Sequence, residues 1–137
     1  MSLVLYWDAS AVLSALFKDR HSETAWNLAR TEGIHLLSSL AAAEVHAVIA
    51  RIEREGVLAP VLVAAAREAF ALGPWRRVYM QPDWQFLEQL ASRWPLRGAD
   101  LWHLALAKTI QQELHEVRLL TFDQRLAAAA AGEQLAV

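Results

Sequence analysis

The chain has 137 residues, enough for one domain that buries about two thirds of its unfolded surface around a single core. Hydrophobic residues make up 55% and six are Trp, which excludes disorder, and the absence of Cys excludes disulfide frameworks, thiolate zinc sites and cysteine nucleophiles. The formal net charge of −2 argues against holding nucleic acid by global positive charge, although it allows a local basic surface. We therefore expect a single domain over residues 1–137.

The apolar stretches are short. The first runs only from Leu3 to Trp7, with no basic segment before it, and the run from Val57 to Ala66 contains Pro60. Neither is long enough for a signal peptide or a transmembrane helix. We expect a soluble cytoplasmic protein without a membrane contact, and the lack of Cys fits a reducing compartment.

The run Leu3–Trp7 predicts a strand buried on both faces, because a half-exposed strand would alternate apolar and polar residues. Helix and strand patterns alternate after it, which indicates a parallel sheet covered on both faces by helices. The predicted helices are 9–17, 23–31 with Ser22 as cap, a helix capped by Ser38-Ser39 that ends near 55 before Gly56, 61–72, 83–93, 99–114 and 123–131. The further predicted strands are 34–37, 77–80, 117–121 and a frayed 135–137.

Four acidic residues lie near the predicted carboxyl edge of the sheet. Asp8 and Asp123 directly follow strands, Glu44 is in the second turn of a helix after a strand, and Asp100 opens a helix. Each has an ordinary explanation, since Asp100 and Asp123 can stabilise helix N-termini and Glu44 can be a boundary residue in water. Together they would line the crevice beyond the strand ends, where open α/β sheets bind ligands.

Four carboxylates within a few ångströms repel one another, so some must be protonated or a cation must neutralise them. Oxygen ligands without Cys favour Mg²⁺ or Mn²⁺ over Zn²⁺. One such ion activates and orients a water molecule, and a second would stabilise the leaving oxygen. The acids therefore predict metal-dependent phosphoryl chemistry that needs no protein nucleophile.

The order and spacing of these residues resemble the PIN domain family and, within it, the small VapC-type toxins of toxin–antitoxin pairs. Four segments spread over nearly the whole chain carry the resemblance: Asp8-Ala9-Ser10-Ala11, Ser39 with Glu44-Val45, Arg97 to His103, and Thr121-Phe122-Asp123. It implies a three-layer α/β/α sandwich with a five-stranded parallel sheet. Four strands plus a frayed fifth are the alternative, because the chain stops soon after Gly132.

The resemblance also implies an Mg²⁺-dependent endoribonuclease, with Mn²⁺ as a substitute ion. RNA would be the substrate, and the expected protein partners are a second copy in a homodimer and a cognate antitoxin that presents a basic side chain to the acids. Carried over to this sequence, the metal ligands are Asp8 and Asp100. Glu44 and Asp123 complete the acidic set, directly or through water. Ser10 and Thr121 are the supporting hydroxyls.

Three arginines are candidate RNA contacts. Arg97 precedes the Asp100 helix, Arg125 follows Asp123, and Arg51 lies two turns beyond Glu44. An acidic crevice needs a basic rim to hold a phosphate backbone. Each of the three is alternatively a solvated charge or the partner of a neighbouring acid.

The histidines are not assigned to catalysis. His103 lies in the middle of an apolar helical face, which favours a core or supporting histidine over a general base. His46 lies near the opposite side of its helix from Glu44, and His21, in a polar break, is expected to face solvent.

Two other classes of function are open to this sequence. A haloacid-type phosphohydrolase also has an Asp after its first strand, but it requires a second acid two residues later, where this chain has Ser10. A PIN fold without catalysis could serve as an RNA-binding or protein-interaction scaffold. The four acids argue against the scaffold, since it has no evident need for them.

Overall fold

The computed structural model describes residues 3–137, in which eleven helices and strands alternate. In chain order they are β1 Leu3–Trp7, α1 Ala9–Leu16, α2 Ser22–Ala29, β2 Gly33–Ser38, α3 Ser39–Glu55, α4 Pro60–Leu72, β3 Trp75–Val78, α5 Trp84–Arg93, α6 Gly98–Gln111, β4 Val117–Leu120 and α7 Gln124–Gly132. None of these helices has the length and hydropathy needed to cross a membrane.

The four strands form one parallel sheet in the order β3-β2-β1-β4. β1 is central, and its Tyr6 pairs with Leu36 of β2 on one side and Leu119 of β4 on the other. The predicted fifth strand is reduced in the described residues to a single parallel bridge between Ala136 and Leu119. The structure therefore has the four strands and frayed fifth that the sequence left as an alternative.

Helices cover both faces of the sheet, as the fully apolar first strand predicted. Val4 and Tyr6 pack into a core with α5, α6 and α7, whereas Leu5 and Trp7 pack into a second core with α1, α3 and α4. All four side chains are at most 2% exposed. This alternation makes β1 the middle of a three-layer α/β/α sandwich and confirms the predicted fold class.

The third strand was predicted two residues too late. β3 covers Trp75–Val78, and Trp75 pairs with His35 of β2. The Trp75 ring packs edge-on against Trp7, with the ring centroids 5.5 Å apart. Tyr79, which the prediction included, is 82% exposed beyond the strand end. The contact with Trp7, and not the apolar pair Tyr79-Met80, therefore sets where this strand begins.

Several helix ends also differ from their predictions, most of them by one or two residues. Ser22 is the first residue of α2 and not its cap, because its hydroxyl donates to the Phe17 carbonyl at 2.8 Å and accepts from the Asp19 N–H. α6 ends at Gln111, three residues before the predicted end. At α3 the predictions are correct, since Ser38 caps its start and Gly56, at φ 64°, closes its end.

Glu133 joins three helices at the end of the chain. Its carboxylate is buried and lies 2.6 Å from Arg93 Nη1 and 3.4 Å from Lys108 Nζ, and it accepts a hydrogen bond from Trp94 Nε1 at 2.9 Å. Burial alone raises the pKa of Glu133, but the hydrogen bonds from Trp94 and Arg93 and the two positive charges outweigh it and hold the pKa below its ordinary value.

Glu133→Gln should therefore destabilise the protein by about 1–3 kcal/mol at neutral pH, because Arg93 and Lys108 lose a charged partner. Because folding lowers this pKa, the contribution of Glu133 is present above its ordinary value of 4.5 and disappears as the pH falls through the folded-state value. Urea unfolding at several pH values measures both effects. The control is Glu53→Gln, which removes an exposed pair with Arg67 and should change stability much less. Equal losses in the two variants would contradict a special role for Glu133.

Candidate active site

Asp8 lies at the carboxyl end of β1 and caps α1. One carboxylate oxygen, Oδ1, accepts the Ala11 N–H at 2.9 Å and the Ser10 hydroxyl at 2.7 Å, and the other, Oδ2, accepts the Thr121 hydroxyl at 2.5 Å. The residue is only 4% exposed. Asp8 therefore stands as a buried carboxylate oriented by three donors.

The two supporting hydroxyls also connect β1 to the segment after β4. Ser10 Oγ accepts the Phe122 N–H at 3.2 Å, and Thr121 Oγ1 accepts the Asp123 N–H at 3.1 Å. Each hydroxyl thus donates to Asp8 and accepts from the backbone near Asp123. These bonds hold two of the sequence-predicted acids, Asp8 and Asp123, in a fixed relation.

Asp100 and Asp123 line one open cavity of about 450 Å³. Asp100 is in the first turn of α6, and Asp123 caps α7 by accepting the Leu126 N–H at 2.9 Å. Two of the three candidate arginines, Arg97 and Arg125, line the same cavity. The third, Arg51, is exposed on α3 and is not part of this lining.

The acids affect one another electrostatically. Burial raises the pKa of Asp8, against the lowering effect of its hydrogen bonds from Thr121, Ser10 and Ala11. Burial also raises the pKa of Asp100, and the negative charges of Asp123, Asp8 and Glu44 raise it further. Asp100 therefore lies close enough to the other three predicted acids for their negative charges to raise its pKa.

Glu44 is held by a hydrogen-bonded chain that begins in the core. The Tyr6 hydroxyl is 2.6 Å from His103 Nδ1, and His103 Nε2 is 2.8 Å from Glu44 Oε1. Burial raises the pKa of Tyr6 far above its usual range, so the phenol keeps its proton and can donate to Nδ1. In that arrangement Nε2 carries the imidazole proton, and the Nε2–H group donates a hydrogen bond to the Glu44 carboxylate.

The buried position of His103 agrees with its interpretation as a supporting histidine. Its ring is 1% exposed, whereas Glu44 is partly exposed, so the histidine reaches solvent only through the carboxylate that it orients. Sequence reasoning missed the bond from His103 to Glu44 and the part of Tyr6 in it. The only signal was a polar residue in an apolar stripe, which does not identify its partner.

The donor set at this edge suits a hard divalent cation. Within residues 3–137, no three acidic or histidine side chains are already arranged as ligands of one metal ion. Mg²⁺ does not require such a cage, since it retains several waters and binds through one or two carboxylates. Two groups fit that mode: Asp8 Oδ2, which accepts one hydrogen bond, and the Asp100 carboxylate. A cation bound there would relieve the repulsion that raises the pKa of Asp100.

The other two histidines differ from each other. His46, to which the sequence assigned no catalytic role, packs edge-on against Phe70 on the α4 side. His21, expected to face solvent, is half-buried and stacks on Phe122, which lines the cavity. That stack was not predicted, because residues 101 positions apart in sequence meet only once α1, β1 and β4 have packed.

The comparisons with known proteins identify the family. The sequence model of the PIN domain matches residues 5–132, and the chain belongs to the PIN domain family. Among curated proteins, no sequence matches the chain.

One solved structure similar to this chain is a VapC toxin from Mycobacterium tuberculosis, VapC20, described as cleaving the sarcin–ricin loop. The two share 16% sequence identity with a TM-score of 0.59, over 91% of this chain and 94% of that toxin. At this identity the similarity is one of fold, and it confirms the PIN-like architecture.

The raised pKa of Asp100 gives a prediction that does not depend on activity. In chelator at neutral pH, Asp100→Asn should melt a few degrees higher than wild type, because it removes a charge that is partly buried and repelled. A carboxyl whose pKa rises on folding destabilises the fold when ionised, so the difference should vanish as the pH falls toward the ordinary value of 3.8. Adding Mg²⁺ should raise the melting temperature of wild type more than that of the variant.

The matched control is Asp83→Asn. Asp83 caps α5 near the other end of α6, where its N–H donates to Thr109, and Asn caps helices equally well. This variant should melt like wild type and respond equally to Mg²⁺. An Asp100→Asn protein that melts below wild type in chelator would contradict the repulsion.

Proposed function

We propose that the chain is an Mg²⁺-dependent endoribonuclease and acts as the toxin of a toxin–antitoxin pair. The observation that carries the proposal is the environment of Asp100, which shares a cavity with Asp123 and is repelled by Asp123, Asp8 and Glu44. Membership of the PIN domain family supports nuclease chemistry at this edge of the sheet. A carboxyl whose pKa is raised by burial and by neighbouring negative charges is costly to fold and is typical of functional sites.

In this proposal Asp8 and Asp100 hold the metal ion. A bound Mg²⁺ would supply a water of lowered pKa, oriented for attack on a phosphodiester. Ser10 and Thr121 keep the Asp8 carboxylate in one orientation through their hydrogen bonds. Glu44 and Asp123 complete the acidic set, directly or by hydrogen-bonding water.

The basic side chains of the cavity would bind the RNA backbone. Arg97 and Arg125 lie in the same lining as Asp100 and Asp123, so a phosphate between them would meet both the acids and the guanidinium groups. Arg51 is exposed farther along α3 and would contact RNA only outside the cavity.

The toxin role implies two protein partners, a cognate antitoxin that masks the acids with a basic side chain and a second copy of the chain. The fold similarity to VapC20 supports this assignment. The surface around α4 is divided between the core and solvent. Val63 and Phe70 are buried, whereas Val61 and Leu72 are 72% and 77% exposed, so an apolar face is available to either partner.

A second candidate is a PIN-fold scaffold that binds RNA or protein without cutting. The four acids argue against it, since a scaffold has no evident need for them. The phosphohydrolase alternative gains no support, because Ser10 donates to Asp8 where that chemistry needs a second acid.

Asp8→Asn and Asp100→Asn should each reduce cleavage of a mixed cellular RNA pool by at least roughly 100-fold, and chelator should abolish cleavage by wild type. Asp83→Asn, remote from the cavity, should cleave like wild type. Gel analysis of the RNA measures cleavage, and circular dichroism checks that each variant is folded.

Four outcomes would overturn parts of this proposal. Cleavage in chelator, or full activity in both folded variants, would rule out the mechanism. Intact RNA binding without cleavage by wild type would establish the scaffold alternative. Turnover of a generic phosphomonoester would instead support a phosphohydrolase.

Ser10→Ala tests the orientation of Asp8 separately from its charge. The variant keeps the carboxylate and its bonds from Ala11 and Thr121 but loses the Ser10 donor. Cleavage should fall by roughly 10- to 100-fold, as for other residues that orient metal ligands. The control Ser92→Ala removes an exposed hydroxyl on α5, and its activity should not change. Wild-type activity in Ser10→Ala would show that Asp8 does not need this donor.

A further inference from the structure

A half-buried aromatic stack lies beside the proposed active site. The rings of His21 and Phe122 are almost parallel, with an interplanar angle of 4° and centroids 4.4 Å apart. Phe122 lines the cavity of Asp100 and Asp123, and its N–H is bonded to Ser10, which orients Asp8. The stack is therefore fixed to the same group of side chains as the acids.

The turn that carries His21 is held rigidly. Asp19 accepts hydrogen bonds from the buried Ser14 hydroxyl at 2.8 Å and from the His21 N–H at 2.7 Å. The Ser22 hydroxyl, also buried, bonds to Asp19 N and to the Phe17 carbonyl. These bonds fix the backbone on both sides of His21, and the stack on Phe122 sets the orientation of its ring before any ligand arrives.

Phe122 covers one face of the imidazole, and His21 as a residue is half-buried. Arg20 Nε donates to His21 Nε2 at 3.3 Å, and both Arg20 and Lys18 are exposed in the same turn. A flat aromatic face with cationic neighbours has the chemistry that recognises a nucleobase and the phosphate next to it.

We propose that the outer face of His21 is a nucleobase-binding subsite for single-stranded RNA. A base stacks on His21, Arg20 and Lys18 contact the adjoining phosphates, and the strand continues toward the cavity of Asp100 and Asp123. The subsite rests on the proposed ribonuclease function, because it is assigned to the same RNA strand. It adds a contact to the base, whereas Arg97 and Arg125 contact only the backbone.

Stacking and charge make different predictions for binding. Base stacking on an aromatic ring contributes through the π face of the base, so a purine should gain more from it than a uracil. Phosphate contacts instead determine how steeply the affinity falls with salt. The two can be separated by comparing decamers of oligoadenylate and oligouridylate at several salt concentrations.

The experiment measures the affinity of the two fluorescein-labelled decamers by anisotropy in chelator, with the full-length chain. His21→Ala should weaken binding of oligoadenylate by roughly 5- to 100-fold, reduce its preference over oligouridylate and leave the salt dependence unchanged. His21→Phe keeps an aromatic face and should restore the preference. Arg20→Gln should lower the salt dependence while the preference for oligoadenylate remains.

The matched control is His46→Ala, which removes a histidine that packs on Phe70 away from the cavity and should bind both decamers like wild type. If His21→Ala binds each decamer as tightly as wild type does, the subsite is overturned and the proposed function stands. A His21-dependent preference without RNA cleavage in Mg²⁺ would overturn the function and keep the subsite. Wild type that binds neither decamer but cleaves the RNA pool in Mg²⁺ would overturn the subsite and leave the proposed function standing.

Discussion

The buried carboxylate of Asp8 is the constraint on which the rest of the site depends. Asp8 follows the central strand and caps α1 by accepting a hydrogen bond from the Ala11 N–H. It also accepts hydrogen bonds from the hydroxyls of Ser10 and Thr121, so one carboxylate connects the ends of β1 and β4. Burial of a carboxylate is unfavourable unless hydrogen bonds replace the lost water, and here three donors do so. The same hydrogen bonds that offset the burial of Asp8 also fix the orientation of its carboxylate. Through Thr121 they connect it to the backbone N–H of Asp123.

Repulsion between the acids is partly offset by the helices that begin at this edge. In a parallel sheet each helix that follows a strand starts near the strand's carboxyl end, so the N-termini of α1, α3 and α7 meet where Asp8, Ser38 and Asp123 cap them. Each helix N-terminus carries a partial positive charge, which stabilises nearby carboxylates. The compensation is incomplete at Asp100, whose pKa stays raised by burial and by the negative charges of Asp123, Asp8 and Glu44. What remains of the negative charge is what a divalent cation or a basic side chain would neutralise.

The parts of this structure that could be predicted from sequence are those determined by local pattern. The apolar run Leu3–Trp7, the capped helix from Ser38 to Gly56 and the acids after strands depend on residues near one another in the chain. These patterns predict a parallel sheet covered by helices, whereas the PIN-like fold was implied by the family resemblance. β3 was misplaced because its start depends on Trp75 meeting Trp7, a contact across 68 positions. The His21–Phe122 stack and the His103–Glu44 bond were missed for the same reason. Periodicity identifies the face on which a side chain lies, but not the residue from another element that it contacts.

Glu44 shows how the core determines the spacing of the site. Unlike Asp8 and Asp123 it caps no helix, and its orientation comes from His103 on α6, one turn after Asp100, and from Tyr6 on β1, two residues before Asp8. α3 and α6 pack on opposite faces of the sheet, so the bond from His103 to Glu44 joins the two helical layers at their common edge. A shift of either layer against β1 would move Glu44 relative to Asp100 and Asp8 together. The close packing of the sandwich, which resists such shifts, therefore keeps Glu44 in place relative to Asp100 and Asp8.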